Sequence, residues 1–396
     1  MSNSRDVVVL SGVRSPIGSY GGDLKDISLG DLAASVVREA VSRAGIEPSA
    51  VGHTVFGNVI HSEPRDMYLA RVASVNAGLP VETPALTLNR LCGSGLQAIL
   101  TAASYIQLGD TDCAVGGGAE AMSRAPYWIP SGRWGQRMGD GAMLDAMVGA
   151  LTDPFDRCHM GITAENVAER WGISREAQDR LAMESHRRAS RAIDDGYFRD
   201  QILPIEVKGR KGSIVVDTDQ GPRREIDPAK MTAMKPVFKR DGGTVTAGNA
   251  STLNDGAAAV VLMEREAAEA GALRPLGRLV AGTVAAVEPK FMGIGPVPAV
   301  RKLLDKTGVS PEQIDVWEIN EAFAAQALAV VKDLELDEQK VNPNGSGIAL
   351  GHPIGATGAI LTVKALYELQ RVGGRYAVVT MCIGGGQGIA ALYERL

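Results

Sequence analysis

An internal duplication constrains this chain more than any other feature. In the first copy Leu29, Leu32, Ala33, Val36, Val37 and Ala40 recur at helical spacing, Ala44-Gly45-Ile46-Glu47-Pro48 stops the helix, and Val55-Phe56 reads as a strand. In the second, Val300 to Leu304 reads as helix, Thr307-Gly308-Val309-Ser310-Pro311 as the stop and Val316-Trp317-Glu318-Ile319 as the strand. Gly45 pairs with Gly308 and Pro48 with Pro311, each 263 positions apart. Ala98-Ile99-Leu100-Thr101 recurs as Ala359-Ile360-Leu361-Thr362 at an offset of 261, early in a helix that leads to a strand and a triple glycine, Gly116–Gly118 or Gly384–Gly386. Alternating helices and continuous apolar strands imply parallel sheets covered by helices on both faces. The fold class is therefore α/β, with two similar halves. Between them, roughly Ala121 to Asn249, regular alternation is lost apart from a helical stretch near Ser174 to Ile193, which reads as a loop-rich insertion of the kind that carries binding. The expected division is 1–121 for an N-terminal half completed by about 250–271, 122–249 for the inserted domain, and 272–396 for the C-terminal half.

A chain of 396 residues, 45% of them hydrophobic, can bury a large core. Its 47 glycines against 19 prolines read as shaped backbone rather than disorder. The polar start Met1 to Asp6 runs directly into Val7-Val8-Val9-Leu10, no apolar run reaches membrane-spanning length, and Tyr393 to Leu396 matches no address signal, so a cytoplasmic protein off the membrane is expected. Cys92, Cys113, Cys158 and Cys382 lie far apart without a C-x-x-C pair, which suggests neither a metal site nor a disulfide framework. The net charge of −5 argues against a general nucleic-acid binder, although Lys208 to Arg240 holds nine Lys/Arg against four Asp/Glu.

Four segments carry residue types suited to chemistry. Cys92, in Asn89-Arg90-Leu91-Cys92-Gly93-Ser94-Gly95, precedes an apolar helix starting near Leu96, where free N–H groups and the helix dipole favour a thiolate. By itself it is equally compatible with a small buried thiol. His352, in Gly351-His352-Pro353 through Gly358, occupies the matching place in the other half and is one of five histidines. The glycines there also suit a dinucleotide loop, but no acidic ribose ligand follows at the expected distance. Cys382 lies directly after the strand Tyr376 to Thr380, at the strand end where reactive groups gather in α/β sheets. Asn320, in Asn320-Glu321-Ala322-Phe323-Ala324, suits holding a water or an oxyanion, or capping the next helix.

Together, these segments resemble the thiolase family over essentially the full chain, including the insertion at His159-Met160-Gly161-Ile162-Thr163-Ala164-Glu165-Asn166, with the bacterial biosynthetic β-ketothiolases and acetyl-CoA acetyltransferases the nearest likeness. Thr252 departs from the pattern, standing where Gly is common in relatives. The resemblance implies duplicated halves in a layered αβαβα core. It also implies an enzyme that reversibly condenses acetyl-CoA with an acyl-CoA to 3-ketoacyl-CoA and CoA. Cys92 would be the acylated nucleophile, His352 its base and Cys382 the acid/base for the second substrate. Two oxyanion holes are implied, one of His352 and a water held by Asn320, the other of the Cys92 and Gly384 N–H groups. For the coenzyme A arm it implies His159, Met160, Ala247, Ser251, Ala322 and Phe323, with Arg223 near the phosphates. Coenzyme A thioesters are then substrates, with no cofactor and no metal, and a homo-oligomer, in relatives commonly a tetramer, is expected. The rivals are a decarboxylating β-ketoacyl synthase, which typically carries His in place of the second Cys, and a non-catalytic lipid carrier, which would not need all four groups.

Overall fold

The computed structural model describes residues 5–209 and 212–396. One continuous mixed sheet runs through it. Its main strands are β1 (Val7–Arg14), β2 (His53–Gly57), β3 (Ala85–Leu88), β4 (Cys113–Ala121), β5 (Asn254–Glu264), β6 (Gly277–Ala286), β7 (Ile314–Ile319), β8 (Tyr376–Ile383) and β9 (Gln387–Glu394). Their order is β7-β8-β9-β6-β1-β5-β4-β2-β3, with the short strand Gly18–Ser19 beside β5. The principal helices are α1 (Leu29–Ala44), α2 (Leu69–Ala77), α3 (Ser94–Leu108), α4 (Met160–Trp171), α5 (Arg175–Asp194), α6 (Pro296–Thr307), α7 (Ala324–Asp333) and α8 (Thr357–Val372).

The strands are apolar along their whole length because both faces are buried. Along β1, Val7 and Val9 enter a central cluster with Leu96 and Ile99 of α3 and Ile360 and Val363 of α8, while Val8, Leu10 and Val13 enter an outer cluster with α1 and α2. In the other half Ala377, Val379 and Met381 of β8 face the same central cluster, and Tyr376 and Val378 face Val297, Val300 and Leu303 of α6. These faces give the layers α/β/α/β/α, with α3 and α8 in the middle. Strand direction departs from the parallel expectation. Only β2–β3, β2–β4 and β7–β8 run parallel. The pairings β1–β5, β1–β6, β4–β5, β6–β9 and β8–β9 are antiparallel. Two-faced burial produces continuous apolar runs in either direction, so the pattern reports the layers and not the direction.

The duplication is built into backbone conformation. Gly45 ends α1 at φ 67° and Gly308 ends α6 at φ 70°, left-handed positions that glycine adopts without strain. The helices α3 and α8 start at Ser94 and Thr357, which are 263 apart, so the Ala-Ile-Leu-Thr match at 261 joins residues two positions out of structural register. Those two helix starts are pressed together. A Cβ on Gly95 would sit 2.8 Å from the N of Ala359, and one on Gly358 would sit 2.3 Å from the N of Leu96. Each contact repeats the other with the halves exchanged.

The insertion carries more regular structure than its composition suggests. Besides α5, whose N-cap is Ser174, it contains α4 and the hairpin Ile205–Gly209/Gly212–Val216. It is anchored to β1 by the fully buried Arg14, whose guanidinium binds both carboxylate oxygens of Asp219 at 2.7 and 2.8 Å and the side chain of Gln201 at 2.8 Å. Removing one partner of such a pair strands a buried charge, typically at a cost of about 3–5 kcal/mol. Among the described residues no helix is long and apolar enough to cross a membrane.

Candidate active site

Cys92 lies two residues ahead of α3 on a turn fixed from several sides. Asn89 Oδ1 accepts from Leu91 N at 2.8 Å, Ser94 Oγ accepts from Arg90 N at 2.8 Å and donates to Leu91 O at 2.7 Å, and the Arg90 guanidinium reaches Gln387 of the other half at 2.9 Å. Leu91 itself has φ 45°, a left-handed conformation that costs a non-glycine residue about 1–2 kcal/mol. That strain sits next to the sulfur. His352 was expected at the matching place in the other half, but it lies five residues ahead of Thr357 rather than two, on a loop of different length. Cys382 was expected just past its strand and instead lies inside β8, one residue from its end.

These three side chains, with Gly384, line one cavity of about 300 Å³. His159, Met160, Ser251, Ala322 and Phe323 line it too, as does Thr252. Asn320 stands behind His352, with its Nδ2 3.3 Å from Nε2 and 3.5 Å from Nδ1, and its buried Oδ1 has no protein partner among the described residues. It does not cap α7, whose N-cap is Phe323. Ala247 and Arg223 are exposed and lie outside the cavity wall. Elsewhere in the basic segment Arg224 pairs with Asp194 and Lys239 with Glu169, while Arg210 and Lys211 lie outside the described residues.

The electrostatics oppose the thiolate that the helix start alone favours at Cys92. Burial pushes its thiol up to about 11, with the Gly384 N–H pulling the other way. Burial also drives Cys382 well above the usual thiol range, helped by the neighbouring Cys92 sulfur, and lowers His352 to about 4. Desolvation outweighs the backbone N–H donors of Gly384 and Cys92, so the resting site holds two thiols and a neutral imidazole. The nearby Glu120 is fully buried and takes hydrogen bonds from Asn58 Nδ2 at 3.0 Å, Val59 N at 3.1 Å, Ile60 N at 3.1 Å and Gly355 N at 2.9 Å. It clamps the His352 loop to the N-terminal half. Burial raises its carboxyl to about 8 against the pull of those donors.

The cavity also has walls that sequence reasoning missed. Phe238 stacks on His159 at 4.6 Å and meets Phe323 edge-on at 6.3 Å, and Gly161 is required there because a Cβ would fall 2.2 Å from the Phe238 ring. Around Cys92 the lining is apolar, from Met122, Met147, Leu151, Leu253 and Ile354. The two predicted binding segments are stitched together: Ser251 N donates to Ala322 O at 2.9 Å and Ala324 N to Asn249 O at 2.9 Å. Thr252 Oγ1 donates to Asn254 Oδ1 at 2.9 Å, the same atom that accepts from His352 N at 2.9 Å. Among the described residues no cluster of three His, Cys, Asp or Glu could hold a metal ion.

A cavity holding two thiols and an imidazole, set between duplicated layered halves, defines a class. The thiolase N-terminal domain matches residues 7–266 and the thiolase C-terminal domain residues 273–395, and the chain belongs to the thiolase family. It is 63% identical over 393 residues, 99% of this chain and 100% of the relative, to the beta-ketothiolase BktB of Cupriavidus necator. It superimposes with a TM-score of 0.97 on the acetyl-CoA acetyltransferase of Bacillus anthracis, at 48% identity and 99% coverage of both chains. Human mitochondrial 3-ketoacyl-CoA thiolase in complex with CoA matches with a TM-score of 0.96 at 43% identity, covering 99% of this chain and 98% of that one.

Proposed function

We propose that this thiolase is a β-ketothiolase that joins acetyl-CoA and an acyl-CoA, reversibly, through an acyl group carried on Cys92. The observation that carries this reading is the shared cavity of Cys92, His352 and Cys382. His352, neutral at physiological pH, takes the Cys92 proton as the sulfur attacks the first thioester, and the departing CoA thiolate takes the proton of Cys382. The Cys382 thiolate then removes an α-proton from the second acetyl-CoA. The resulting enolate attacks the acyl carbon, and Cys92 leaves with the proton held by His352. Protons and electron pairs balance over the cycle, and thiolysis is its reverse.

Each stage builds charge on a thioester oxygen. One such oxygen is met by protonated His352 and a water on Asn320, the other by the Cys92 and Gly384 N–H groups; donors of this kind are worth about 10²–10³-fold each. Support for the second pair comes from the Gly384 N–H already directed at the Cys92 sulfur. His159, Met160, Ser251, Ala322 and Phe323 form the channel for the pantetheine arm, with Ala247 and Arg223 outside near the nucleotide. The cycle draws on coenzyme A thioesters alone and uses no resident cofactor or metal.

The protein works as a homotetramer. Two separate apolar surfaces favour this, as dihedral assembly requires: the arm around Trp134 and Met138, 85% and 93% exposed, and the open edge strand β3 with nearby Met67 and Tyr68. A cytoplasmic setting fits four free cysteines, two of which must stay reduced to react. Radiolabelled acetyl-CoA will label Cys92 in the wild type and leave Cys92→Ser almost unlabelled, a loss of about 10³-fold or more. Undiminished label in the variant would remove the nucleophile.

A further inference from the structure

The Thr357 hydroxyl has one proton to give and two neighbours. Its Oγ1 lies 2.9 Å from Pro353 O and 2.6 Å from His352 Nδ1. A carbonyl oxygen only accepts, so in the bond to Pro353 the hydroxyl is the donor, the back-bond to the carbonyl four residues earlier that a helical Thr makes. Toward His352, Thr357 can then only accept, and the proton in that short bond belongs to Nδ1. We propose that Thr357 is a positioning residue that fixes His352 as the Nδ1–H tautomer, so that Nε2 alone faces the chemistry, first as base and then as donor.

Several observations hold the arrangement in place. Thr357 and His352 are both buried, 2% and 5% exposed, so water does not compete for these bonds. Thr357 opens α8, and its hydroxyl joins two amides on one carbonyl, Ala356 N at 2.8 Å and its own N–H at 3.0 Å from Pro353 O. The His352 backbone is fixed separately by Asn254 Oδ1, and Gly351 allows that approach because a Cβ would fall 2.4 Å from the Asn254 amide. The second nitrogen of a working histidine is commonly held by such a partner, which decides which nitrogen is free. When Nε2 takes the Cys92 proton, the Nδ1–H bond to Thr357 strengthens against the new charge, and no rearrangement is needed before Nε2–H meets the enolate oxygen.

The inference rests on the proposed activity for its meaning but not for its test. In protein labelled with ¹⁵N-histidine, with His352 assigned by its absence from His352→Asn, the wild type at neutral pH will give a protonated Nδ1 and an unprotonated Nε2. Rapid-quench measurement of Cys92 acylation will fall about 10- to 100-fold in Thr357→Val, the worth of a hydrogen bond to a charged group, and recover to within a few-fold in Thr357→Ser. A resting Nε2–H tautomer in the wild type, or acylation by Thr357→Val at the wild-type rate, would overturn the assignment. A wild type that takes no label on Cys92 would sink the proposed activity instead, and the spectrum would still decide the tautomer.

Discussion

The starts of α3 and α8 occupy equivalent places in the two halves, yet they are built in opposite ways. Ahead of α3 the backbone is strained at Leu91, and Cys92 is half-buried in the cavity wall. Ahead of α8 the loop is relaxed onto Gly351, and His352 is buried against Thr357, Asn254 and Asn320. Duplication explains why two helix ends meet back to back, through Gly95 and Gly358. It does not explain what each end presents; the loops ahead of them do. In the proposed reaction, one end offers an atom that the substrate must reach, the other a ring that must not move. A shared dry environment then acts on both with opposite sign, raising the thiol and depressing the imidazole.

The sharpest way to break this comparison is to remove the third group, which comes from β8 rather than from either helix start. Cys382→Ser should still exchange acyl groups between Cys92 and CoA within a few-fold, while condensation and thiolysis fall about 10²- to 10⁴-fold. Equal loss of both activities would mean the two sulfurs share one role.

The buried imidazole predicts an acid-sensitive fold. His352 and His186 both have folded values near 4, below the ordinary 6.5, through burial and, for His186, the added charge of Arg223. A depressed histidine contributes stability above 6.5 that is lost as pH falls toward 4, because the unfolded chain binds the proton more readily. Urea unfolding should lose up to about 3 kcal/mol per site across that window, and His186→Asn should flatten the fall. A level profile would show that these rings ionise freely.

The smallest effect belongs to Gly384→Ala. Its backbone has no positive φ, and the new methyl would lie 2.9 Å from the flexible Met160 Cε, so the fold should survive with unchanged melting. Turnover should drop about 10-fold as the methyl displaces the thioester oxygen from its donors. Unaltered kcat and KM would leave Gly384 with a packing role only.

Much of this is legible in the sequence. Gly45 and Gly308 marked left-handed helix ends, and the apolar strands marked two-sided burial. Strand direction was not legible, because burial on both faces writes the same pattern for parallel and antiparallel neighbours. The helix α4 escaped notice because its cap is a histidine: His159 Nδ1 accepts from Gly161 N at 3.0 Å, a role more often filled by Ser, Thr or Asp. Phe238 lies in a basic stretch without periodicity, so only its contacts reveal it. That Cys92 rests as a thiol is not legible in its own segment, because a helix start advertises its N–H donors in sequence, whereas the desolvation that outweighs them comes from residues as remote as Met147, Leu253 and Ile354.

The most direct test of the whole account is chemical distance between the two sulfurs. Treatment of the native protein with 1,3-dibromoacetone, followed by digestion and mass spectrometry, should yield one bridged species joining the Cys92 and Cys382 peptides, suppressed by prior acylation with acetyl-CoA. Separate capping of Cys92 and Cys382, with no bridge between them, would contradict a single shared pocket.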